Sequence, residues 1–223
     1  MFSDEFDFDK LCEECHIQNI ESFKQKVQTL YDILIETNKH MNLTRIQSLN
    51  DYLNKHIADS LLIAKFFPNK ITKPNTKIAD IGCGGGFPSL VLASAFPELQ
   101  VTPIDSTGKK INFVNTAAKE LGLTNLEAFQ GRACELNRKK EWQGEFDIIT
   151  ARAVAKSMKL FTETDRMLNY SGMYIFYKTP EQVADELEPL KKLSRKQCYN
   201  WHTTEIYELP AGNGKRQFIF GHN

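Results

Sequence analysis

The chain lacks several things, and each gap narrows the field. No apolar run approaches 18 residues and no basic segment precedes one, so neither a membrane span nor a signal peptide is expected. The acidic opening, Met1 to Asp9, has the wrong charge for both. Net charge is absent: 28 basic residues balance 28 acidic ones. That argues against nucleic-acid binding driven by bulk charge and leaves only a local basic face. Cysteines number 5, odd and scattered, which suits reduced thiols in a cytoplasm rather than a disulfide framework. Cys12, Cys15 and His16 match the haem-attachment pattern, but haem attachment requires export, and no second Cys or His pair lies nearby to complete a zinc site. They read as packing residues on a short helix, and no metal is expected. Repeats and low-complexity tracts are also missing.

What is present centres on Thr76 to Pro88. A short apolar run from Ile78 to Ile81 carries Asp80 and breaks into Gly82, Gly84, Gly85 and Gly86, and Pro88 then opens a helical composition. Strand, glycine turn and helix make the first βα unit of a doubly wound sheet, which binds nucleotide-like ligands at the carboxyl end of the strand. Glycine is needed where the backbone turns at positive φ and must approach a ligand without a Cβ, and Pro88 suits the first helical position. The spacing departs from a dinucleotide fingerprint, which wants a third glycine where Phe87 stands, and no Lys-Ser/Thr follows to make a P-loop. The order Asp80-x-Gly82-x-Gly84-x-Gly86 looks like motif I of S-adenosylmethionine (SAM) methyltransferases. A second apolar run, Val101 to Ile104, ends at Asp105, 19 residues beyond Gly86, where an open α/β sheet places the carboxylate that holds ribose hydroxyls.

The rest of the chain divides into a helical front and an alternating back. Ile20, Phe23, Val27, Leu30 and Leu34 recur at helical spacing, predicting a helix over 19–39 and a second over 48–67. Residues 68–76 read as a linker rich in Pro and Asn. Strands are predicted at 77–81, 100–104, 125–129, 146–150 and 172–177, helices at 88–96, 107–121, 156–168 and 181–194, and a β-rich end over 197–208 and 217–220. Such alternation implies a parallel sheet with right-handed crossovers. The expected fold is α/β: a Rossmann-like class I SAM-dependent methyltransferase with a mostly parallel seven-stranded sheet, an antiparallel last strand and an N-terminal helical cap. Residues 1–70 form the cap, which packs over the ligand, and 71–223 the transferase domain.

Several further pieces resemble one family. Asn38-Lys39-x-Met41-Asn42-Leu43-Thr44, Lys55-His56-x-x-Asp59-Ser60, the glycine motif through Ser89, Asp105-Ser106-x-x-Lys109-Lys110, Gly131 to Glu135 and Thr150 to Ala155 occur in the order of the ribosomal RNA small subunit methyltransferase G family, also called glucose-inhibited division protein B. The resemblance covers about residues 20 to 220. It implies methyl transfer from SAM to N7 of one guanine in 16S rRNA, with Gly82 and Phe87 lining the SAM pocket, Ala133 and Cys134 beside the adenine, and Arg152 beside the cofactor. This chain departs from the family pattern at two points: it has Ala133-Cys134 where the family has Ala-Glu, and Thr37 where the family has a tryptophan.

The candidate cofactor residues are therefore Asp80, Gly82, Gly84, Gly86, Phe87, Asp105, Ser106, Ala133, Cys134 and Arg152. Arg152 and His56 are the candidate catalytic residues, and Lys109, Lys110, Arg132 and Lys178 the candidates for RNA phosphates. Two further basic clusters, Arg138 to Lys140 and Lys191, Lys192, Arg195 and Lys196, suit either phosphate tracking or a solvated face. Asp59 and Ser60 read as local capping or packing groups rather than functional ones. Guanine N7 carries no proton, so its methylation needs alignment and no general base. The chain has no N/D-P-P-Y after strand four, which argues against amine methylation. The expected partner is 16S rRNA or the small ribosomal subunit, and a cytoplasmic monomer is expected. A methyltransferase with a small-molecule or protein substrate, or a SAM-binding regulator without catalysis, remains open on the residues alone.

Overall fold

The computed structural model describes residues 7–46 and 48–223, without the side chain of Lys196. Parts of the predicted front segment, residues 1–6 and Gln47, lie outside the described residues. Seven strands line up in the order β3-β2-β1-β4-β5-β8-β6. They are β1 Lys77–Ile81, β2 Gln100–Asp105, β3 Phe129–Gln130, β4 Phe146–Arg152, β5 Leu168–Lys178, β6 Asn200–Thr203 and β8 Lys215–His222. The two-residue β7, Tyr207–Glu208, pairs beside β8. Strands β1 to β5 pair in parallel, and β8 runs antiparallel to both β5 and β6.

The central strands are covered on both faces, so they read as continuous apolar runs while their side chains still alternate. Ile78, Ile148, Ile175 and Phe218 point into one apolar layer; their neighbours Ala79, Ile149, Phe176 and Ile219 point into the other. The first layer is closed by α1 Phe8–Glu14, α2 Ile20–Met41, α4 Asp59–Phe66, α6 Ser89–Ala95 and α7 Gly108–Glu120. The second is closed by the short α8 Ala133–Leu136, α9 Ser157–Thr164 and α10 Pro180–Ser194. The apolar side chains of the N-terminal helices and those of the sheet thus belong to one continuous cluster.

Five local differences from the expected elements have physical causes. The predicted helix 48–67 is α3 Leu49–Asp51, then a π-helical segment Tyr52–Ala58, then α4. The wider π turn fits because Tyr52 is tied by its hydroxyl to the Val27 carbonyl at 3.0 Å, and the Lys55 carbonyl is taken by Arg152. The predicted linker contains a single helical turn, α5 Pro68–Ile71, started by Pro68 in its first turn. Pro88 sits one place earlier than expected, at the N-cap of α6. The third strand shrinks to two residues plus a bridge from Leu126 to Val101. The β-rich end is split, with β6 and β7 both pairing onto β8.

Two caps set up the site. Asn19 accepts the Ser22 N–H at 2.9 Å and starts α2. Asn42 ends α2 in the left-handed conformation at φ 48°, one of the few residue types that tolerate it. The turn brings Leu43 and Thr44 over the glycine loop, where a Cβ on Gly85 would lie 4.0 Å from Leu43 Cβ.

Candidate active site

Two clefts meet at the carboxyl ends of the parallel strands, sharing Gly82, Lys110 and Ala153. The first, about 630 Å³, runs between the N-terminal helices and the sheet, past His56, Phe87, Arg152 and Arg216. The second, about 490 Å³, lies over β2 and β3 and is lined by Asp105, Ser106, Arg132, Ala133 and Cys134.

The glycine turn depends on its glycines for both conformation and packing. Gly82, Gly84 and Gly86 all have positive φ, at 71°, 57° and 85°. A Cβ on Gly86 would come within 2.5 Å of Leu90 Cδ1, and one on Gly82 within 2.6 Å of Val154. Behind the turn, Asp80 is buried; Ser89 Oγ donates to its Oδ2 at 2.6 Å, and Oδ1 has no hydrogen-bond partner among the described residues. Burial pushes this carboxyl up to about 6, against the Ser89 hydrogen bond and the charge of Arg152. Asp80 lines neither cleft, so the expectation that it contacts cofactor directly is corrected: it anchors the loop from behind.

Asp105 ends β2 under the loop. Its Oδ2 accepts the Gly84 N–H at 3.1 Å and its Oδ1 the Thr107 N–H at 2.8 Å, with Lys110 Nζ 3.7 Å from Oδ2. Each oxygen keeps acceptor capacity for a diol. Ala133 opens α8 and Cys134 follows half-buried at the cleft wall. A glycine turn at positive φ beside a strand-end carboxylate with spare acceptors fits the nucleoside end of SAM.

The first cleft is organised by Asp59, only 2 % exposed. Arg152 Nη1 donates to Asp59 Oδ2 at 3.0 Å and to the Lys55 carbonyl at 3.0 Å. Arg216, on β8, donates from Nε to Asp59 Oδ1 at 2.8 Å. Asp59 is therefore not a local cap; it holds two arginines from β4 and β8, the strands on either side of β5. Arg152 Nη2 faces His56 Nδ1 at 3.2 Å, and the His56 ring stacks on Phe87 with centroids 4.1 Å apart. The guanidinium lies 5.8 Å from the Phe87 centroid. Burial, then the charge of Arg152, lowers the His56 pKa to about 3, so the imidazole is neutral. Ala153, next along the chain, sits at φ 57°, a strained conformation for a residue with a Cβ.

The remaining candidates separate. Lys178 is 5 % exposed, paired with Glu186 at 2.8 Å and donating to the Ala155 carbonyl at 3.0 Å. It lines the first cleft, but its expected role on RNA phosphate is corrected, because its buried ammonium is already paired with Glu186 and the Ala155 carbonyl. Glu186 also accepts from Ser157 N and Oγ, both at 2.7 Å, so this pair clamps the loop after Arg152. Burial raises the Glu186 carboxyl, yet the Lys178 and Ser157 hydrogen bonds outweigh it and the net shift is downward. Lys109 is exposed and lines neither cleft, whereas Lys110 and Arg132 reach the cleft edges. Arg138, Lys139, Lys140, Lys191, Lys192 and Arg195 are solvent-exposed and line neither cleft, and the Lys196 side chain lies outside the described residues. Cys12 and Cys15 are buried, their thiols pushed up to about 12 chiefly by burial, and Cys15 Sγ donates to the Leu61 carbonyl at 3.5 Å. Arg216 went unremarked in the sequence because 157 residues separate it from Asp59.

The chain matches the family model described as GidB, rRNA small subunit methyltransferase G, over residues 23–210. A ribosomal RNA small subunit methyltransferase G from Streptococcus pyogenes serotype M4 is 38% identical over 214 residues, covering 96% of this chain and 88% of that one. The protein of the same name from Streptococcus equi subsp. zooepidemicus is 37% identical over 195 residues, covering 86% and 80%. Among solved structures, a SAM-dependent methyltransferase from Aquifex aeolicus is similar with TM-score 0.57 at 15% identity, covering 78% of this chain and 93% of that one. The YcgJ protein of Bacillus subtilis is similar with TM-score 0.57 at 18% identity, covering 74% and 98%. At those identities the structures speak for the fold, a class I SAM methyltransferase fold; the family rests on the sequence matches, and by them the chain belongs to the rRNA small subunit methyltransferase G family.

Proposed function

We propose that this protein methylates N7 of one guanine in 16S rRNA, using SAM as methyl donor. The observation that carries the reading is the state of the titratable groups in the first cleft. His56 is neutral with both ring nitrogens engaged, since Nε2 meets Thr44 Oγ1 at 3.0 Å. Asp59 is bonded through both oxygens to arginines. Among the described residues, no carboxylate or imidazole facing the cleft is left to take a proton. Methylation of an amine or hydroxyl needs such a base, whereas N7 presents an unprotonated lone pair. A relative's name, ribosomal RNA small subunit methyltransferase G, supplies the substrate class.

Gly82, Gly84, Asp105, Ala133 and Cys134 would hold SAM, which when bound supplies an electrophilic sulfonium methyl. Asp105 would accept from the ribose hydroxyls and fix the nucleoside end. Phe87, stacked on His56, closes the apolar side of the junction between the clefts and excludes water. Arg152, immobilised by Asp59 and the Lys55 carbonyl, presents a fixed positive charge at that junction. His56 is a positioning residue in this arrangement, holding Phe87 and Arg152, and not a proton carrier. Residues 1–70 act as the cap that closes the first cleft over residues 71–223. Among the described residues no helix is long and apolar enough to cross a membrane. We take the working form to be a monomer in the cytoplasm, where its substrate is.

Nucleoside analysis of rRNA treated with the protein and labelled SAM tests the chemistry. The label should appear in 7-methylguanosine; label in an N-methylated amine or a 2′-O-methyl nucleoside would overturn the reading.

A further inference from the structure

The loop after α2, Leu43 to Ile46, runs along the first cleft, which Leu43, Thr44 and Ile46 all line. Thr44 is held unusually firmly. Asn38 brackets its backbone: Nδ2 donates to the Thr44 carbonyl at 2.9 Å, and Oδ1 accepts the Thr44 N–H at 2.9 Å. Its Oγ1 lies 3.0 Å from His56 Nε2 and 3.1 Å from the Ile46 N–H, which donates to it.

The direction of the Thr44–His56 bond follows from the other side of the ring. Arg152 Nη2 can only donate, so His56 Nδ1, 3.2 Å away, must be the acceptor. A neutral imidazole then carries its single proton on Nε2, and that N–H donates to Thr44 Oγ1. Thr44 Oγ1 therefore accepts twice, from His56 and Ile46, which uses both of its lone pairs. The hydroxyl proton is what remains, and among the described residues no acceptor is bonded to it. The network thus converts a hydroxyl that ordinarily rotates into a donor of fixed direction on the cleft wall.

We propose that Thr44 Oγ–H donates to O6 of the target guanine and so selects guanine over adenine-like bases. This rests on the guanine N7 reading above. N7 and O6 lie side by side on the same edge of guanine, both acceptors, whereas adenine has an amino group in the place of O6. A base presenting N7 toward the methyl donor necessarily presents its 6-substituent beside it. A committed donor there pairs with O6 and meets an amino group donor to donor, leaving both unsatisfied in a desolvated cleft. Discrimination built this way needs no proton transfer, in keeping with a cleft in which no carboxylate or imidazole of the described residues is free.

The test compares small subunits assembled on rRNA that carries either guanine or 2,6-diaminopurine at the methylated position. Diaminopurine keeps N7 and the 2-amino group and replaces O6 by an amino group. For the wild-type protein, kcat/KM on diaminopurine should fall about tenfold or more. Thr44→Ser, which keeps the hydroxyl, should preserve that ratio. Thr44→Val should lose activity on guanine and bring the ratio close to one, with SAM affinity by calorimetry unchanged. If Thr44→Val slows both RNAs in parallel and leaves the ratio intact, Thr44 is only a brace for His56 and the proposal falls. Equal rates on the two RNAs for the wild-type protein also overturn it, while leaving N7 methylation standing. If the wild-type protein methylates neither, the guanine reading itself falls, and this residue's role falls with it.

Discussion

Asp59 is the perturbation with the most readable consequence. Its side chain is 3% exposed and bonded to Arg152 and Arg216 at 3.0 and 2.8 Å, and those side chains are themselves only 13% and 23% exposed. Asp59→Asn keeps the shape and removes the charge, leaving two guanidinium groups facing each other with no anion between them. Removing one member of a buried ion pair costs about 3–5 kcal/mol, and the partial exposure of the arginines places this case near the lower end, about 3 kcal/mol. For a chain of this size, that is a fall in melting temperature of roughly 6–12 °C. Calorimetric melting of wild type and variant reads the shift directly. Arg216→Gln and the double variant complete a cycle, in which the second substitution should cost much less once the first is made. A melting temperature within about 2 °C of wild type would refute the buried triad.

Two further predictions concern His56 and Asp105. His56 has a folded pKa of about 3 against an ordinary 6.5, so below pH 6.5 the unfolded chain takes a proton that the folded chain refuses. Its contribution is therefore intact above pH 6.5 and is lost as pH falls toward 3, by up to about 1.4 kcal/mol per pH unit. Asp80 works in the opposite sense between about 6 and 3.8, where the folded state binds the extra proton, and this masks part of the effect in the wild type. Urea unfolding of His56→Gln should accordingly show a variant that gains on the wild type between pH 6.5 and pH 4; parallel curves would show that the imidazole is not buried neutral. Asp105→Ala should weaken SAM binding at least about tenfold in calorimetry, since the carboxylate offers spare acceptors beside the glycine loop, and unchanged affinity would remove Asp105 from the cofactor site.

The part of the fold legible in the sequence was the part governed by short-range patterning. The strand–glycine–helix unit at Ile78 to Ala95, the second strand ending at Asp105 and the alternating elements behind them carry their own periodicity and turn residues. The π segment was not legible, because Tyr52 to Ala58 shows the same spacing an α-helix would and the widening is set by Tyr52 and Arg152 binding distant carbonyls. The Asp59–Arg216 pair joins residues far apart in the chain, so no local pattern announces it. Lys178 was misplaced for a similar reason: a lysine at a strand end reads as solvated unless Glu186, on the next helix, is known to face it. The lone pairs of Thr44 were also invisible, since their commitment depends on which nitrogen of His56 meets Arg152.

The most direct test of the central claim is methyl transfer from labelled SAM to small ribosomal subunits lacking N7 methylation, followed by strand cleavage at 7-methylguanine and mapping of the break. Label is expected at a single guanine of 16S rRNA, with cleavage at that position alone. Binding of SAM with no label in RNA would contradict that claim, and so would label at many positions or at a position resistant to cleavage.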